Sequence, residues 1–339
     1  MIFLKKFTPN RIKMKILKLN SLKTELLNSI KKHSSIAILT HSNPDGDGYC
    51  AALALQEIIS HYGKKADVLL EKPPAEKYDF LDAQNRTKIF FNHLYYEFII
   101  ILDAHSENRI GECVEILPTA QKIISIDHHI EQDPISNALT YIDVNAVSIG
   151  AIIFELFKEE LPNIPNNHYI ANAIYTTILN DTDNFVNSNV DAKTFEICSK
   201  LMEYNIQPGE IVQNFLLNKP AQQMKFIGEV LSTIETHEND KILFMKVTLK
   251  MLEKNNLKSD STDKIMRWIK GTKDVGVAIC FQEIRENRYR LSLRSSKVDV
   301  NKVAVLFGGG GHKKASGCEM KGTLSEIQKL ILSELKKQL

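Results

Sequence analysis

Residues 98–102 (FIIIL) and 122–126 (KIISI) are apolar almost without a break. A strand with one wet face alternates apolar and polar residues. A strand covered on both faces does not, and strands of that kind belong to parallel sheets packed between layers of helices. Residues 35–40 (SIAILT) and 66–70 (ADVLL) fit the same sheet. Between them, residues 48–61 carry Ala51, Leu53, Leu55, Ile58 and Ile59 near helical spacing, which predicts a helix. Further helices are predicted over 148–158, 167–179 and 191–203. Strand and helix in alternation predict an α/β domain whose parallel sheet has helices on both faces.

The pattern loosens between residues 204 and 221, where Pro208, Gly209, Asn214, Asn218 and Pro220 are scattered. Beyond it the period shifts towards two, and residues 241–247, 275–281 and 289–294 read as strands of a second sheet. A helix over 324–337 closes the chain. The organisation expected is a basic extension over 1–20, a catalytic domain over 21–204, a linker over 205–221 and a smaller α/β domain over 222–339. The length of 339 residues agrees with two domains of roughly 150 residues each.

The longest apolar runs are far shorter than the ~20 residues a membrane span needs. The first twenty residues hold Lys5, Lys6, Arg11, Lys13, Lys15 and Lys18 without an acidic residue. A secretory signal would follow such a basic stretch with an apolar one of roughly 7–15 residues, and none is present, so residues 1–20 read as a disordered or loosely helical tail, with Met14 a second candidate start. Cys50, Cys113, Cys198, Cys280 and Cys318 are odd in number and form no CxxC pair. They read as small core residues of a protein in a reducing compartment, and the expected location is the cytoplasm.

Ligands of open α/β sheets bind outside the carboxyl ends of the strands, and this chain concentrates acid and imidazole there. HSNPDGDG (41–48) follows the first strand and sets His41, Asp45 and Asp47 in a turn tightened by Pro44, Gly46 and Gly48. That mixed nitrogen and oxygen set suits manganese, iron or zinc. Asp103 ends FIIIL, with His105 two residues on. Asp127, His128 and His129 close KIISI; two adjacent histidines cannot both be buried without partners, and Asp127 is placed to orient an imidazole. Asn180-Asp181-Thr182-Asp183-Asn184-Phe185 follows a helix. Apart from the 127–129 triplet, each segment alone reads as a turn or cap. Together they offer two imidazoles and four carboxylates, His41, Asp45, Asp47, Asp103, His128 and Asp181. Those suffice for two metal ions with one carboxylate between them, the standard device for phosphoester hydrolysis.

The second domain holds FGGGGHKKASG (307–317). Bare glycine backbone at Gly309, Gly310 and Gly311 lets amides approach an anion closely. His312, Lys313 and Lys314 add charged donors. The GKS/T ending of a Walker loop is missing. Arg294 and Ser295 in LRSS offer a bidentate phosphate ligand and a hydroxyl.

HxxPDxDG, the strand-end Asp103, the DHH triplet 127–129, Asp181-Thr182 and GGGGHxxASG, in this order, resemble the motifs of the DHH superfamily of phosphoesterases followed by its DHH-associated C-terminal domain. The compact size is similar to the NrnA-like subgroup of bifunctional oligoribonucleases and phosphoadenosine-phosphate phosphatases. The resemblance implies that His41, Asp45 and Asp103 hold one divalent ion and that Asp47, Asp103, His128 and Asp181 hold another, both manganese, with Asp103 bridging. It implies His129 on the scissile phosphate, Asp127 supporting the cluster, and Arg294, the glycine run and His312 on the far end of a nucleotide, in a cleft between the domains. Substrates implied are short single-stranded RNA and 3′,5′-phosphoadenosine phosphate, with cyclic di-AMP or its linear product pApA as the alternative.

The chain departs from the resemblance in having Asp183 where many relatives have glycine, and in the extra imidazole of His105. Duplex DNA is not expected as a partner, because no helix-turn-helix, zinc finger or long basic face appears. The helical segments after Asn167 are candidates for a homodimer interface. The near balance of 43 basic against 41 acidic residues averages two unlike sets, carboxylates for cations and glycine amides with basic side chains for phosphate.

Overall fold

The structure is a computed structural model and describes residues 17–104, 106–129, 135–257, 265–269 and 271–338. It divides into two compact units that meet in sequence at Asn218 and Lys219.

The first unit runs α1 (Leu19–Lys32), β1 (Ile36–Leu39), α2 (Gly46–His61), β2 (Ala66–Leu70), α3 (Ala83–Arg86), β3 (Thr87–Ile89), β4 (Phe98–Leu102), α4 (Glu107–Ile110), β5 (Lys122–Asp127), β6 (Leu139–Ile142), α5 (Ile149–Phe157), α6 (Asn167–Asp181), α7 (Ala192–Met202) and α8 (Pro208–Val212). Its six strands lie in the order β3-β2-β1-β4-β5-β6, all parallel. Ile36 and Ile38 of β1 enter one core with α1, α2, α5 and α6, while Ala37 and Leu39 enter a second core on the opposite face. The sheet is therefore buried on both sides, as its unbroken apolar strands require. α2 is buried at every position from Gly46 to Leu55, the pattern of a helix enclosed all round. Strand order reverses between β1 and β4, and at such a switch point the loops leave in opposite directions and open a crevice at the carboxyl ends of the strands. His41 and Asp103 stand on its two sides.

The second unit runs α9 (Ala221–Leu231), β7 (Glu235–His237), β8 (Ile242–Val247), α10 (Leu249–Lys254), β9 (Val277–Arg285), β10 (Arg288–Ser295), α11 (Val300–Leu306), β11 (Gly310–His312), β12 (Ala315–Lys321) and α12 (Leu324–Lys336). Its sheet has the order β11-β12-β10-β9-β8-β7; β8 and β9 are parallel and the other pairs antiparallel. Tyr289, Leu291 and Leu293 join the core that holds residues of α11 and α12, while Arg288, Arg290 and Arg294 alternate with them and are exposed. The α/β class expected from the sequence holds for both units.

The structure differs from the sequence reading in two places. Residues 1–16 lie outside the described residues, but Leu17 is buried, its amide meets the Thr140 carbonyl at 2.9 Å, and α1 begins at Leu19. The end of the supposed tail is thus part of the first unit. The supposed linker also folds there: α8 continues into a π-helical turn (Gln213–Leu217), and Ile206, Ile211, Phe215 and Leu216 are buried in the first core. The glycine run forms a paired edge, with β11 on β12. A Cβ on Gly309 would fall on the Gly317 carbonyl and Cys318, and one on Gly311 would lie 2.6 Å from the Ala315 carbonyl.

Candidate metal centre

α2 begins on a turn that Asp45 caps, accepting the Asp47 amide at 2.9 Å. Within this turn the Asp47 carboxylate, fully buried, accepts the Ile149 amide at 2.9 Å with each oxygen. Asp47 thereby sits at the N-terminus of α5, where unpaired amides and the helix dipole favour negative charge. Asp103 leaves β4 in the left-handed region, φ 58°, which turns its carboxylate back over the strand ends. Asp127 is the last residue of β5. One of its oxygens accepts the amides of His128 and His129 and the Nδ1–H of His129, at 2.7, 2.9 and 2.9 Å. His128 Nδ1–H donates to the Ala146 carbonyl at 3.0 Å. That bond fixes the tautomer and turns Nε2 to the carboxylates. Asp181 is the last residue of α6.

These elements bring the predicted ligands together. His41, Asp45 and Asp103 form one set, and Asp47, His128 and Asp181 a second, with the donor atoms of each set within 4.8 Å of one another; Asp103, Asp127, His128 and His129 form a third. His41 Nε2 is 3.8 Å from Asp45 Oδ1 and 3.6 Å from Asp103 Oδ2. His128 Nε2 is 3.2 Å from Asp181 Oδ2, 3.4 Å from Asp47 Oδ2 and 3.9 Å from Asp103 Oδ1.

The electrostatics are those of crowded carboxylates. Burial pushes Asp47 well above the usual carboxylate range, and the charges of Asp181 and Asp103 push it further. Burial likewise raises Asp103. Burial opposes ionisation of Asp45, but hydrogen bonds from His41, Asn180 and the Asp47 amide outweigh it and hold the group low. Asp103 and Asp127 draw the His129 imidazole up to about 10. Burial disfavours the charged form of His128, yet Asp181 raises it above its ordinary value.

The residues fit a divalent cation. Asp103 Oδ1 and His128 Nε2 are buried and complete no hydrogen bond among the described residues. His129 Nδ1 lies 3.3 Å from Asp103 Oδ1, but the bond it forms there is to Asp127. Buried acceptors facing one another without donors cost free energy unless a proton or cation lies among them, and the donor set, imidazole plus carboxylate, suits first-row divalent ions.

The second-unit residues behave differently. Arg294 and His312 are both registered on Ala315 of β12, so the three side chains share a face of the sheet. Arg294 is exposed, with one guanidinium nitrogen on the Leu293 carbonyl at 2.9 Å. The Ser295 hydroxyl is consumed locally. It donates to the Gly276 carbonyl at 2.8 Å and accepts the Lys297 and Val298 amides. Asp183 belongs to none of the ligand sets, and His105 lies outside the described residues.

Sequence reasoning gave no role to Ala146, Ile149 or Asn180. The first two act through backbone atoms, which no residue type announces. Asn180 donates to Asp45 Oδ2 and to Asp181 Oδ1, each at 2.9 Å; beside two aspartates it read as a helix cap.

Fold and site define a two-domain α/β protein with a candidate carboxylate–histidine metal centre at the switch point of its parallel sheet. The DHH family, N-terminal domain, matches residues 35–180, and the DHHA1 domain matches residues 239–338. The chain thus carries a DHH-family N-terminal domain followed by a DHHA1 domain. It is 26% identical over 303 residues to the bifunctional oligoribonuclease and PAP phosphatase NrnA of Bacillus subtilis, covering 88% of this chain and 93% of the relative. It is also 26% identical over 314 residues to the NrnA of Thermus thermophilus, covering 90% of each. An exopolyphosphatase-related protein from Bacteroides fragilis shares the fold, with a TM-score of 0.84, 22% identity, and 94% and 96% of the two chains covered.

Proposed function

We propose that this DHH-family phosphoesterase hydrolyses short oligoribonucleotides to mononucleotides and 3′,5′-phosphoadenosine phosphate to AMP, using two divalent ions, manganese in this reading. The observation that carries it is the pair of three-residue ligand sets at the switch point, with Asp103 in one and 3.9 Å from His128 of the other. The relatives named as oligoribonucleases and PAP phosphatases match nearly end to end and support the substrate class.

In this assignment His41, Asp45 and Asp103 hold one ion, and Asp47, Asp103, His128 and Asp181 the other. Two such ions would make water a nucleophile at neutral pH and neutralise charge on the phosphate oxygens. The remaining work falls to the chain. Asp127 holds the His129 ring by Nδ1, which assigns Nε2 to a non-bridging phosphate oxygen, where a positioned donor lowers the barrier as charge develops. With its Nδ1–H committed to Ala146, the neutral His128 ring has its Nε2 lone pair left for an ion. Arg294, Gly309, Gly310, Gly311 and His312 are assigned to the substrate's distal phosphate or base.

No helix among the described residues is long and apolar enough to cross a membrane. The five cysteines are free and buried, and burial pushes the Cys113 and Cys280 thiols up to about 12. Inert thiols of this kind support a cytoplasmic setting.

The test is turnover of di- to pentaribonucleotides, 3′,5′-phosphoadenosine phosphate, pApA and cyclic di-AMP side by side with manganese. The expected result is nucleoside monophosphates from RNA and AMP from phosphoadenosine phosphate, each faster than cyclic di-AMP is opened. Hydrolysis confined to cyclic di-AMP and pApA would overturn the substrate assignment.

A further inference from the structure

The two ligand sets of the metal centre are joined by one side-chain amide. Asn180 Nδ2 donates to Asp45 Oδ2 and to Asp181 Oδ1, at 2.9 Å each. Asp45 belongs to the set with His41 and Asp103, and Asp181 to the set with Asp47 and His128. In both carboxylates the amide engages one oxygen and leaves the other facing an imidazole. Asp45 Oδ1 is 3.8 Å from His41 Nε2, and Asp181 Oδ2 is 3.2 Å from His128 Nε2. The amide thus selects which oxygen of each acid is presented inward.

Asn180 is itself held in place. It lies on the last turn of α6, and the first turn of α2 packs against it. A Cβ on Gly46 would lie 2.8 Å from Asn180 Cβ and 2.5 Å from the Phe215 ring. The π-helical turn that carries Phe215 therefore backs the same spot, and π-turns recur at functional positions. An aspartate here would carry no donor, and an alanine would remove the tie between the two carboxylates. Donors that orient ligating carboxylates contribute to ion affinity although they never touch the ion.

We propose that Asn180 is a positioning residue that ties Asp45 to Asp181 so that the two cation sites form and fill as a unit. The inference rests on the two-ion reading above. With the bridge present, the first ion orders a ligand set whose tie to the second set is already made. Without it, the second ion must order its own carboxylate, and its affinity falls.

The test uses the full chain, stripped of metal by a chelator and titrated with manganese alone. Calorimetry gives the number and affinity of ions, and electron paramagnetic resonance reports whether two Mn2+ ions lie close enough to couple. Wild type is expected to bind two ions and show a coupled signal. Asn180→Ala and Asn180→Leu are expected to bind the first ion nearly as wild type. The second should weaken by about tenfold or more, and at two equivalents the coupled signal should be lost. Asn180→Leu keeps the volume between Gly46 and Phe215, so it carries the comparison if the alanine variant fails to fold. Two ions bound within threefold of wild-type affinity, with coupling intact, would overturn the bridge and leave the proposed function standing. A wild-type chain that takes up no manganese would overturn both.

Discussion

Asp47 and Ile149, 102 residues apart, are joined by the Ile149 amide, which lies 2.9 Å from each oxygen of the Asp47 carboxylate. The bond makes one buried acid both a candidate cation ligand and the acceptor for a helix N-terminus, and the two roles separate on substitution. Its pKa is raised in the folded chain, so folded Asp47 binds its proton more tightly than the unfolded chain does. The charged form therefore costs stability once the pH exceeds the ordinary carboxylate range. In ion-free protein at neutral pH, Asp47→Asn should keep the Ile149 bond, remove that cost and melt no lower than wild type. Turnover should fall by more than about a hundredfold, beyond the loss typical of a residue that only orients a ligand. Asp47→Ala should lose the activity and also about 1–3 kcal/mol, because it strands a buried amide. Thermal unfolding in chelator, run beside a turnover assay, checks both. A sharply lower melting point for Asp47→Asn would contradict the electrostatic reading.

Asp103 combines a ligand position with a left-handed backbone, φ 58°. Asparagine tolerates that conformation and alanine pays roughly 1 kcal/mol for it. Both Asp103→Asn and Asp103→Ala should be inactive, with only the alanine variant losing stability in a denaturant titration. Activity within about tenfold of wild type in the asparagine variant would remove Asp103 from the bridging position assigned to it.

Gly48 tests how closely α2 must approach β4. A Cβ there would fall on Thr40 Oγ1 and lie 3.0 Å from Asp103 Cβ. Gly48→Ala should cost about 1–3 kcal/mol, the range for overpacking, and should weaken manganese binding by displacing Asp103. Thr40 Oγ1 is buried with no hydrogen-bond partner among the described residues, so Thr40→Ala removes the nearest obstacle without stranding a donor. In a double-mutant cycle the pair should recover most of the loss. Additive costs would place the conflict at Asp103 rather than Thr40.

The central strands were legible because burial on both faces leaves an unambiguous mark. β2 and β4 coincide with the segments read from sequence, and β5 adds only Asp127. The edge strands β3 and β6 carry three and four residues, and Thr87 and Leu139 are only half-buried, so no apolar run announces them. α1 did carry a signal, Leu22, Leu26 and Ile30 at intervals of four, but it begins inside a lysine-rich stretch that reads as solvated tail. In the candidate metal centre the proposed ligands follow strand ends, apart from Asp181 at the end of α6, and are visible as acids and imidazoles. The groups that aim them are a carbonyl at Ala146, an amide at Ile149 and an asparagine that resembles a cap, none of which residue type distinguishes. The glycine run was legible as glycine, but its pairing was not: Gly309 and Gly311 clear the β12 backbone.

Asp183 follows Asp181 by two residues and adopts φ 50°, the first of three consecutive left-handed residues with Asn184 at 59° and Phe185 at 65°. Such a run is unfavourable for side-chain-bearing residues, by roughly 1–2 kcal/mol each before local hydrogen bonds offset it. It persists because the surrounding bonds over-determine it: the Asn184 amide reaches the Leu179 carbonyl at 2.9 Å, and the Phe185 amide reaches Thr182 Oγ1 at 2.9 Å. A glycine at this position would meet that backbone demand without strain, and aspartate meets it at some cost. Asp183→Gly should leave stability within about 1 kcal/mol of wild type, as relief of strain offsets the greater freedom of the unfolded chain. Manganese binding should be unchanged, because Asp183 belongs to no ligand set. Asp183→Val, β-branched and without a polar group, should lose about 1–3 kcal/mol and loosen the Asp181 end of α6. Chemical denaturation with manganese titration of the two variants separates the backbone role from a ligand role. Weakened manganese binding in Asp183→Gly at unchanged stability would make Asp183 part of the metal centre.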